Sequence, residues 1–398
     1  MKNIRRTAAL TAAATLALTA CAPGGGGDES AEGDGPIKVG VIADLTGATG
    51  DVGTPYNEGM LGYVKWRNAD GGIDGRDIEA ISKDYAYDVP TAERLYKEYV
   101  NEGVVAIQGW GTGDSEALMN KVTADELPFM SASYAEVLTD PEEAPYNFVV
   151  APTYSDQMRV ALNWIAEDAG GAADVAMLHN DSPFGLAPLQ DGQDWIGEKG
   201  LDLTMKAYPM PAGAPNFVGL LSKAKSQGAK YIVIQNVSSP AAQVAKDIVA
   251  QGLDMKIVCL NWCSDELFIE TAGDSAEGHV LVQPFAPSSA DADGHADIEK
   301  FLEDEGSSLE EKGVHYVQGW YTMHMMAEGI AKALEDGDLS GPAIKDALEG
   351  MGAIDTGGVV GTGEVEFSAD SHRGQTGTGV YVVEGGTMKQ LDAGVTPE

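Results

Sequence analysis

The sequence predicts an α/β protein of two similar lobes, each built on a parallel sheet, with the chain passing between them more than once. Three observations carry this reading. Short apolar runs rich in β-branched residues alternate with helical patterns of ten or more residues, as right-handed crossovers between parallel strands require. The alternation pauses at Tyr146–Ala151 and Pro152, then begins again. The length of 398 residues, 43% of them hydrophobic, suits two domains with real cores.

In the first unit Ile37–Ala43 reads as a strand, closed by the small and polar loop Asp44-Leu45-Thr46-Gly47-Ala48-Thr49-Gly50. Asn57–Ala69 carries Met60, Leu61, Tyr63, Val64 and Trp66 at roughly helical spacing, and Asp70-Gly71-Gly72 stops it. Ile78–Asp84 is a second strand, and Pro90–Glu102 a helix with proline near its start, where a missing N–H is harmless. Val104–Gln108 is the third strand. It ends in the glycine-dense turn Gly109-Trp110-Gly111-Thr112-Gly113, and Asp114 and Ser115 lead into a helix over Glu116–Asp125. Such a turn presents free N–H groups and the positive end of a helix dipole, which suit an anion. Leu127–Ser131 is the fourth strand, followed by Ala132-Ser133-Tyr134.

In the second unit helices are expected at Ser155–Glu167, Leu186–Lys199, Phe217–Ser226 and Ala241–Gln251. Strands are expected between them at Val175–Leu178, Leu203–Ala207, Tyr231–Gln235, Lys256–Leu260 and Val280–Gln283. Ala296–Glu305, Val317–Leu334 and Pro342–Leu348 then read as helices, and Val365–Phe367 and Val380–Val383 as late strands. No short-period repeat is present.

The first residues carry a separate signal. Met1–Arg6 is basic, Thr7–Leu18 is an uncharged run too short to remain as a membrane span, and Leu18-Thr19-Ala20-Cys21 resembles a bacterial lipoprotein box. The expectation is an export signal over 1–20, lipidation of Cys21 and a flexible glycine-rich tether over 21–35. An ordinary secretory signal cut near Ala20 or Ala22 is the alternative. The formal charge of −37 repels nucleic acid and disfavours docking to anionic lipid, so it reads as a solubility feature. Only Cys259 and Cys263 remain after Cys21, and in an exported chain they are expected to form a disulfide.

Enzyme and cofactor motifs are wanting. In Gly109-x-Gly111-x-Gly113 the third glycine of a dinucleotide fingerprint would fall on Asp114, whose charge opposes a pyrophosphate, and no Gly-Lys-Ser/Thr occurs. Asp181-Ser182-Pro183-Phe184-Gly185 lacks the glycines of a serine elbow. The six histidines are scattered without metal-ligand spacing, and acid pairs arise by chance in a chain with 62 acids. No catalytic residue, metal or cofactor is therefore expected. What recurs is the content of the loops beyond strand C-termini, where ligands sit in open parallel sheets. They supply hydroxyls, helix N-termini and the rings of Tyr85, Tyr87, Trp110, Tyr134, Phe184 and Trp262, a mix suited to a small polar ligand with an apolar or aromatic part.

These features resemble the type I extracellular solute-binding proteins of ABC importers, in the branched-chain amino acid, urea and amide group. The resemblance covers roughly residues 36–390. It is carried by Ile37-Lys38-Val39-Gly40 with Asp44-Leu45-Thr46-Gly47, Asn68-Ala69-Asp70-Gly71-Gly72-Ile73-Asp74-Gly75-Arg76, Lys83-Asp84, Ala151-Pro152-Thr153, Asp181–Gly185 and Ala276-Glu277-Gly278. It implies two Rossmann-like lobes, the type I periplasmic-binding-protein fold, joined by a three-crossover hinge near Pro152, Pro284 and Gly357. Lobe one would comprise 36–152 with 285–357, and lobe two 153–284 with 358–398.

The resemblance also implies a site. Thr112, Gly113 and Asp114, with Ser133, Tyr134, Ala135 and Glu136, would hold the polar head of a solute, with Trp110 close by. Phe184, Val237, Ser238 and Trp262 would close from the second lobe. The chain departs from leucine-type members in four places: Trp262 stands where they carry a carboxylate for the ligand ammonium, Gly113 where they have serine, Val52 where they have an aromatic, and Tyr87 and Thr112 where they have a disulfide. Asp114, Glu136, Asp181 and Asp265 remain as partners for an ammonium. The expected function is capture of a small organic solute (an amino acid, amide or carboxylate with an apolar or aromatic group) and its delivery to ABC permease subunits. The expected protein is a monomer, held outside a bacterial cell membrane by its lipid alone. A secreted α/β hydrolase and a ligand-sensing subunit of a signalling receptor are the competing readings.

Overall fold

The computed structural model describes residues 35–397; the export signal, Cys21 and the tether expected before them lie outside the described residues. In the first sheet β1 (Ile37–Ala43), β2 (Ile78–Asp84), β3 (Ala106–Gly109), β4 (Phe129–Ser131) and β5 (Asn147–Phe148) run parallel in the order β2-β1-β3-β4-β5. Helices α1 (Gly50–Ala69), α2 (Val89–Glu102) and α3 (Thr112–Ala124) connect them. α1 starts at Gly50 rather than Asn57 because Asp44 organises its entry. The Asp44 carboxylate accepts from the Gly47 N–H at 2.7 Å and from the Thr49 N–H and hydroxyl at 2.9 and 2.6 Å. Gly53 lets the helix lie against β1's end, since a Cβ there would stand 2.1 Å from the Asp44 carbonyl oxygen.

After α4 (Tyr154–Ala169) the second sheet begins with β6 (Ala173–Asn180), followed by α5 (Pro183–Leu186), α6 (Leu189–Lys199) and β7 (Leu203–Met210). Helix α7 (Val218–Ser226), β8 (Ala229–Gln235), α8 (Ser238–Ala250), β9 (Lys256–Cys259), α9 (Glu266–Ala272) and β10 (Val280–Gln283) continue it. Along β6, Val175 and Met177 enter one apolar cluster with α4, while Ala176 and Leu178 enter another with α7 and α8. Both faces of the sheet are therefore covered, the condition for a buried parallel sheet.

Helices α10 (Ala296–Asp304), α11 (Leu309–Glu335) and α12 (Gly341–Gly350) return to the first lobe, with α11 packed along α1. A break at Gly313, with φ of 71°, separates the first turn of α11 from the rest. The short ribbon β11 (Ile354–Asp355) and β12 (Glu364–Val365) follows, then β13 (Thr378–Glu384) and β14 (Thr387–Val395). The second sheet has the order β14-β13-β10-β9-β8-β6-β7, and β13 and β14 pair antiparallel. An all-parallel sheet was the expectation; the hairpin at Gly385-Gly386 makes it mixed.

The chain crosses between the lobes three times, and the crossing segments touch: Val149 bonds with His372 and Gly374, and Pro284 with Gly361. The third crossing comes after Gly374 rather than near Gly357, because Val359, Val360, Val365 and Phe367 are buried in the first lobe's core. Cys259 and Cys263 are free buried thiols, not the expected disulfide. Between them the chain makes one short turn, Asn261–Cys263, and the Cys263 thiol points at the Ile234 carbonyl on β8 instead.

Candidate functional site

The order of the first sheet reverses direction between β1 and β3, and that of the second between β6 and β8. Loops beyond these switch points open a crevice. Here the loops after β1, β3 and β4 face those after β6, β8 and β9 across a cavity of about 20 Å³, room for one water-sized body. Thr49, Trp110, Gly111, Thr112 and Ala132 line it from the first lobe, and Phe184, Val237 and Trp262 from the second. Tyr87 completes one wall, and Tyr154 stands at the first crossing.

The cavity is small because rings fill the cleft. Trp262 meets Trp110 at 5.0 Å between centroids and 60°, Tyr56 at 5.9 Å and 60°, and stacks on Tyr134 at 5.6 Å and 21°. His315 covers another side of the same indole at 5.2 Å. Two of the rings are anchored through N–H donors: Trp110 Nε1 donates to Thr49 Oγ1 and Trp262 Nε1 to Tyr154 Oη, each at 2.8 Å. Thr112 Oγ1 lies 2.7 Å from Ser133 Oγ. Burial holds the phenols of Tyr56, Tyr134 and Tyr154 well above the usual tyrosine range, so they are neutral donors. The hydroxyls of Tyr56 and Tyr134 are buried without a hydrogen-bond partner among the described residues.

Of the residues singled out from sequence, Trp110, Thr112, Phe184, Val237 and Trp262 meet at the cavity. Ser133 and Tyr134 stand directly behind it, on Thr112 and Trp262. The others serve the frame. Asp114 is the third residue of α3; its carboxylate accepts from the Gly111 N–H at 3.1 Å and from Tyr85 Oη at 2.8 Å. Burial pushes its pKa up to about 7, against the pull of those donors. Gly113 faces Val89 and Pro183, and Ala135 precedes the short turn Glu136–Thr139. Glu136 pairs with Arg373 at 2.8 Å and accepts from Thr153 Oγ1 at 2.5 Å. Asp181 is exposed. Ser238 is buried and donates to Asp265.

Sequence reasoning missed Tyr56, Tyr154 and His315. Tyr56 lies in the stretch read as loop, Tyr154 is the first residue of α4 and His315 sits in a helix, so none belongs to a strand-end loop. The break at Gly313 was the available signal for His315. Around the cavity the lobes are tied by polar contacts. Asp51 accepts from the Ser239 N–H and hydroxyl at 3.1 and 2.6 Å, at the start of α8. His315 Nε2 meets Asp265 Oδ2 at 2.5 Å, and Gln318 donates to Asn261 at 2.7 Å. Burial works against a charged His315, but Asp265 and Gln318 outweigh it and raise its pKa above the ordinary value.

The family model described as periplasmic binding protein matches residues 36–387. The chain is similar to the leucine-, isoleucine-, valine-, threonine- and alanine-binding protein of Pseudomonas aeruginosa, 24% identical over 303 residues that span 75% of this chain and 79% of that one. Among solved structures it is similar to a branched chain amino acid ABC transporter protein from Thermus thermophilus with bound valine. The TM-score is 0.86 and the identity 26%, covering 91% of this chain and 97% of that one. An ABC transporter substrate binding protein from Aeropyrum pernix matches at a TM-score of 0.81 and 26% identity, over 90% and 95% of the two chains.

Proposed function

Because this chain belongs to the periplasmic binding protein family, we propose that it captures a small organic solute between its lobes and delivers it to the permease of an ABC importer. The observation that carries this is the convergence of strand-end loops from both lobes on one ring-lined cavity. A solute bound there touches both lobes only when they close, so binding and closure are one equilibrium. The solute class is an amino acid, amide or carboxylate with an apolar or aromatic group. Trp110, Thr112, Phe184, Val237 and Trp262 contact it, and Ser133 and Tyr134 support them. The protein works outside the cytoplasm as a monomer, lipidated at Cys21 and held off the membrane by the glycine-rich stretch that follows.

Thermal unfolding of the purified chain against a panel of amino acids, amides, urea and aromatic acids tests the reading. A true solute at a hundredfold its Kd adds about 2.7 kcal/mol of stability. Stabilisation by urea or an inorganic anion alone would overturn the solute class. Retention of a Cys21→Ser variant in the membrane fraction would overturn the lipid anchor, and light scattering checks the monomer.

A further inference from the structure

Resting on the solute-capture reading, we propose that the cleft selects a small solute carrying a fully methylated ammonium group, held by cation–π contact with the rings of Trp110, Trp262, Tyr154 and Phe184.

Four features of the site point the same way. The first is ring orientation. A flat aromatic solute needs two parallel faces with a gap between them. Here Trp110 and Trp262 are inclined by 60°, and Tyr154 and Phe184 by 57° at 5.5 Å. These four rings line one cavity at mutual inclinations that leave no parallel slot, which suits a roughly spherical group better than a flat one. The near-parallel pairs at the site, Tyr134 and His315 on Trp262, are already in contact and leave no slot.

The second is the fate of the acids. A primary ammonium seeks hydrogen-bond acceptors, best a carboxylate; of the four candidates Asp181 is exposed and does not line the cavity, and the other three are engaged. Asp114 is taken by Tyr85 and Gly111, and Glu136 by Arg373 and Thr153. Asp265 is taken by Ser238, His315 and the Phe268 N–H. A trimethylammonium has no N–H to satisfy, and the negative faces of Trp and Tyr rings attract it without an ion pair. The third is that among the described residues no Lys or Arg lines the cavity, so none of them holds a bare anion there by charge. The fourth is the long-range field: a net charge of −37 raises the local concentration of a net cation such as choline, leaves a zwitterion such as glycine betaine unaffected and lowers that of anions. Thr112 lines the same cavity, and its Oγ1, backed by Ser133 Oγ at 2.7 Å, can hydrogen-bond a carboxylate or hydroxyl on the same solute. Because the closed cavity is about 20 Å³, the rings of Phe184 and Trp262 must withdraw with the second lobe to admit it.

The test is calorimetric titration of the purified chain with glycine, sarcosine, N,N-dimethylglycine and glycine betaine, then with choline, the carbon isosteres 3,3-dimethylbutanoate (of glycine betaine) and 3,3-dimethylbutan-1-ol (of choline), valine and benzoate. Affinity is expected to rise with each methyl group. The better of glycine betaine and choline should bind tighter than dimethylglycine, valine and its carbon isostere by on the order of tenfold or more. The choline arm decides whether the hydroxyl pair takes a carboxylate or an alcohol. Tighter binding of valine or benzoate, or equal binding of the isostere, would overturn the inference and leave solute capture standing. No heat with any solute would overturn both. A Trp262→Phe variant should keep most of the preference for the methylated cation and Trp262→Leu should lose it. Equal selectivity in the two would also overturn the proposal, and the wild-type methylation series stands even if the leucine variant fails to fold.

Discussion

Asp114 separates a framework role from a ligand role through its own titration. The carboxyl is buried, and its pKa rises from an ordinary 3.8 to about 7 on folding. The folded protein therefore keeps a proton that the unfolded chain has released, and stability contributed by this group falls as pH climbs from about 4 to about 7. A rise of that size corresponds to roughly 4 kcal/mol once the group is ionised in both states. Replacing it by Asn removes the titration, keeps one oxygen for Tyr85 Oη and loses the second, which caps the Gly111 N–H, at a cost of about 1 kcal/mol. Asp114→Asn should thus be less stable than the natural protein near pH 4, equal to it between, and more stable by pH 8. Urea unfolding of both proteins across this range measures the difference, in which titrations common to both cancel. Parallel stability profiles would refute the reasoning. Loss of solute binding in Asp114→Asn, with the profile shift absent, would show that Asp114 pairs with the solute instead.

Three further outcomes follow from the geometry. Trp262 belongs to the second lobe and packs on first-lobe rings of Tyr56, Trp110, Tyr134 and His315. Trp262 also lines the cavity, and a desolvated ring contact with the solute is worth about 2 kcal/mol, so Trp262→Ala should cost on the order of tenfold or more in affinity for the solute that most raises the melting temperature, with little loss of unliganded stability. A core-sized drop in stability with unchanged affinity contradicts this. Arg373 holds the buried Asp156 carboxylate through two bonds, 3.0 and 2.8 Å, so Arg373→Met strands that charge and should lower urea stability by about 3 kcal/mol; a change below about 1 kcal/mol would show that Arg159 suffices. His315 faces Asp265, Gln318, Glu266 and Trp262, and its raised pKa means that the interlobe contact is fully present at low pH. The contact weakens as pH rises through that value, so solute affinity should fall from pH 6 toward pH 9 in the natural protein and stay flat in His315→Gln.

Strand and helix alternation made the two-lobed fold legible, because burial on both sheet faces forces continuous apolar runs such as Tyr231–Gln235. What escaped was held by tertiary contacts. Helix α1 extends back through Gly53 and Pro55, poor helix formers, because the Asp44 carboxylate fixes its first turn. The late strand β14 is polar and largely exposed, so it carries no hydrophobic period. Of the residues that line the cavity, the strand-end rule pointed to the rings of Trp110, Phe184 and Trp262, and the family resemblance supplied Thr112 and Val237. It also drew in Asp114 and Glu136, since no local pattern distinguishes a carboxylate that caps a helix or pairs with Arg373 from one that meets a solute.

The same rings that make the site also occlude it. In the closed cleft Trp262 occupies the space between the lobes with contacts of its own, so an entering solute competes with a ring already in place. The polar ties at the rim, such as Asp51 to Ser239, are exposed and each adds about 1 kcal/mol or less, too little to decide closure. A solute that merely fills volume offers the indole no more than Trp110 and Tyr134 offer it, and it shifts the equilibrium little. Only a group that binds the ring faces better than neighbouring rings do gains from parting them. Selectivity in this cleft thus rests on displacing self-packing, which turns away weak apolar solutes, and it is built from residues that sequence alone reads as core.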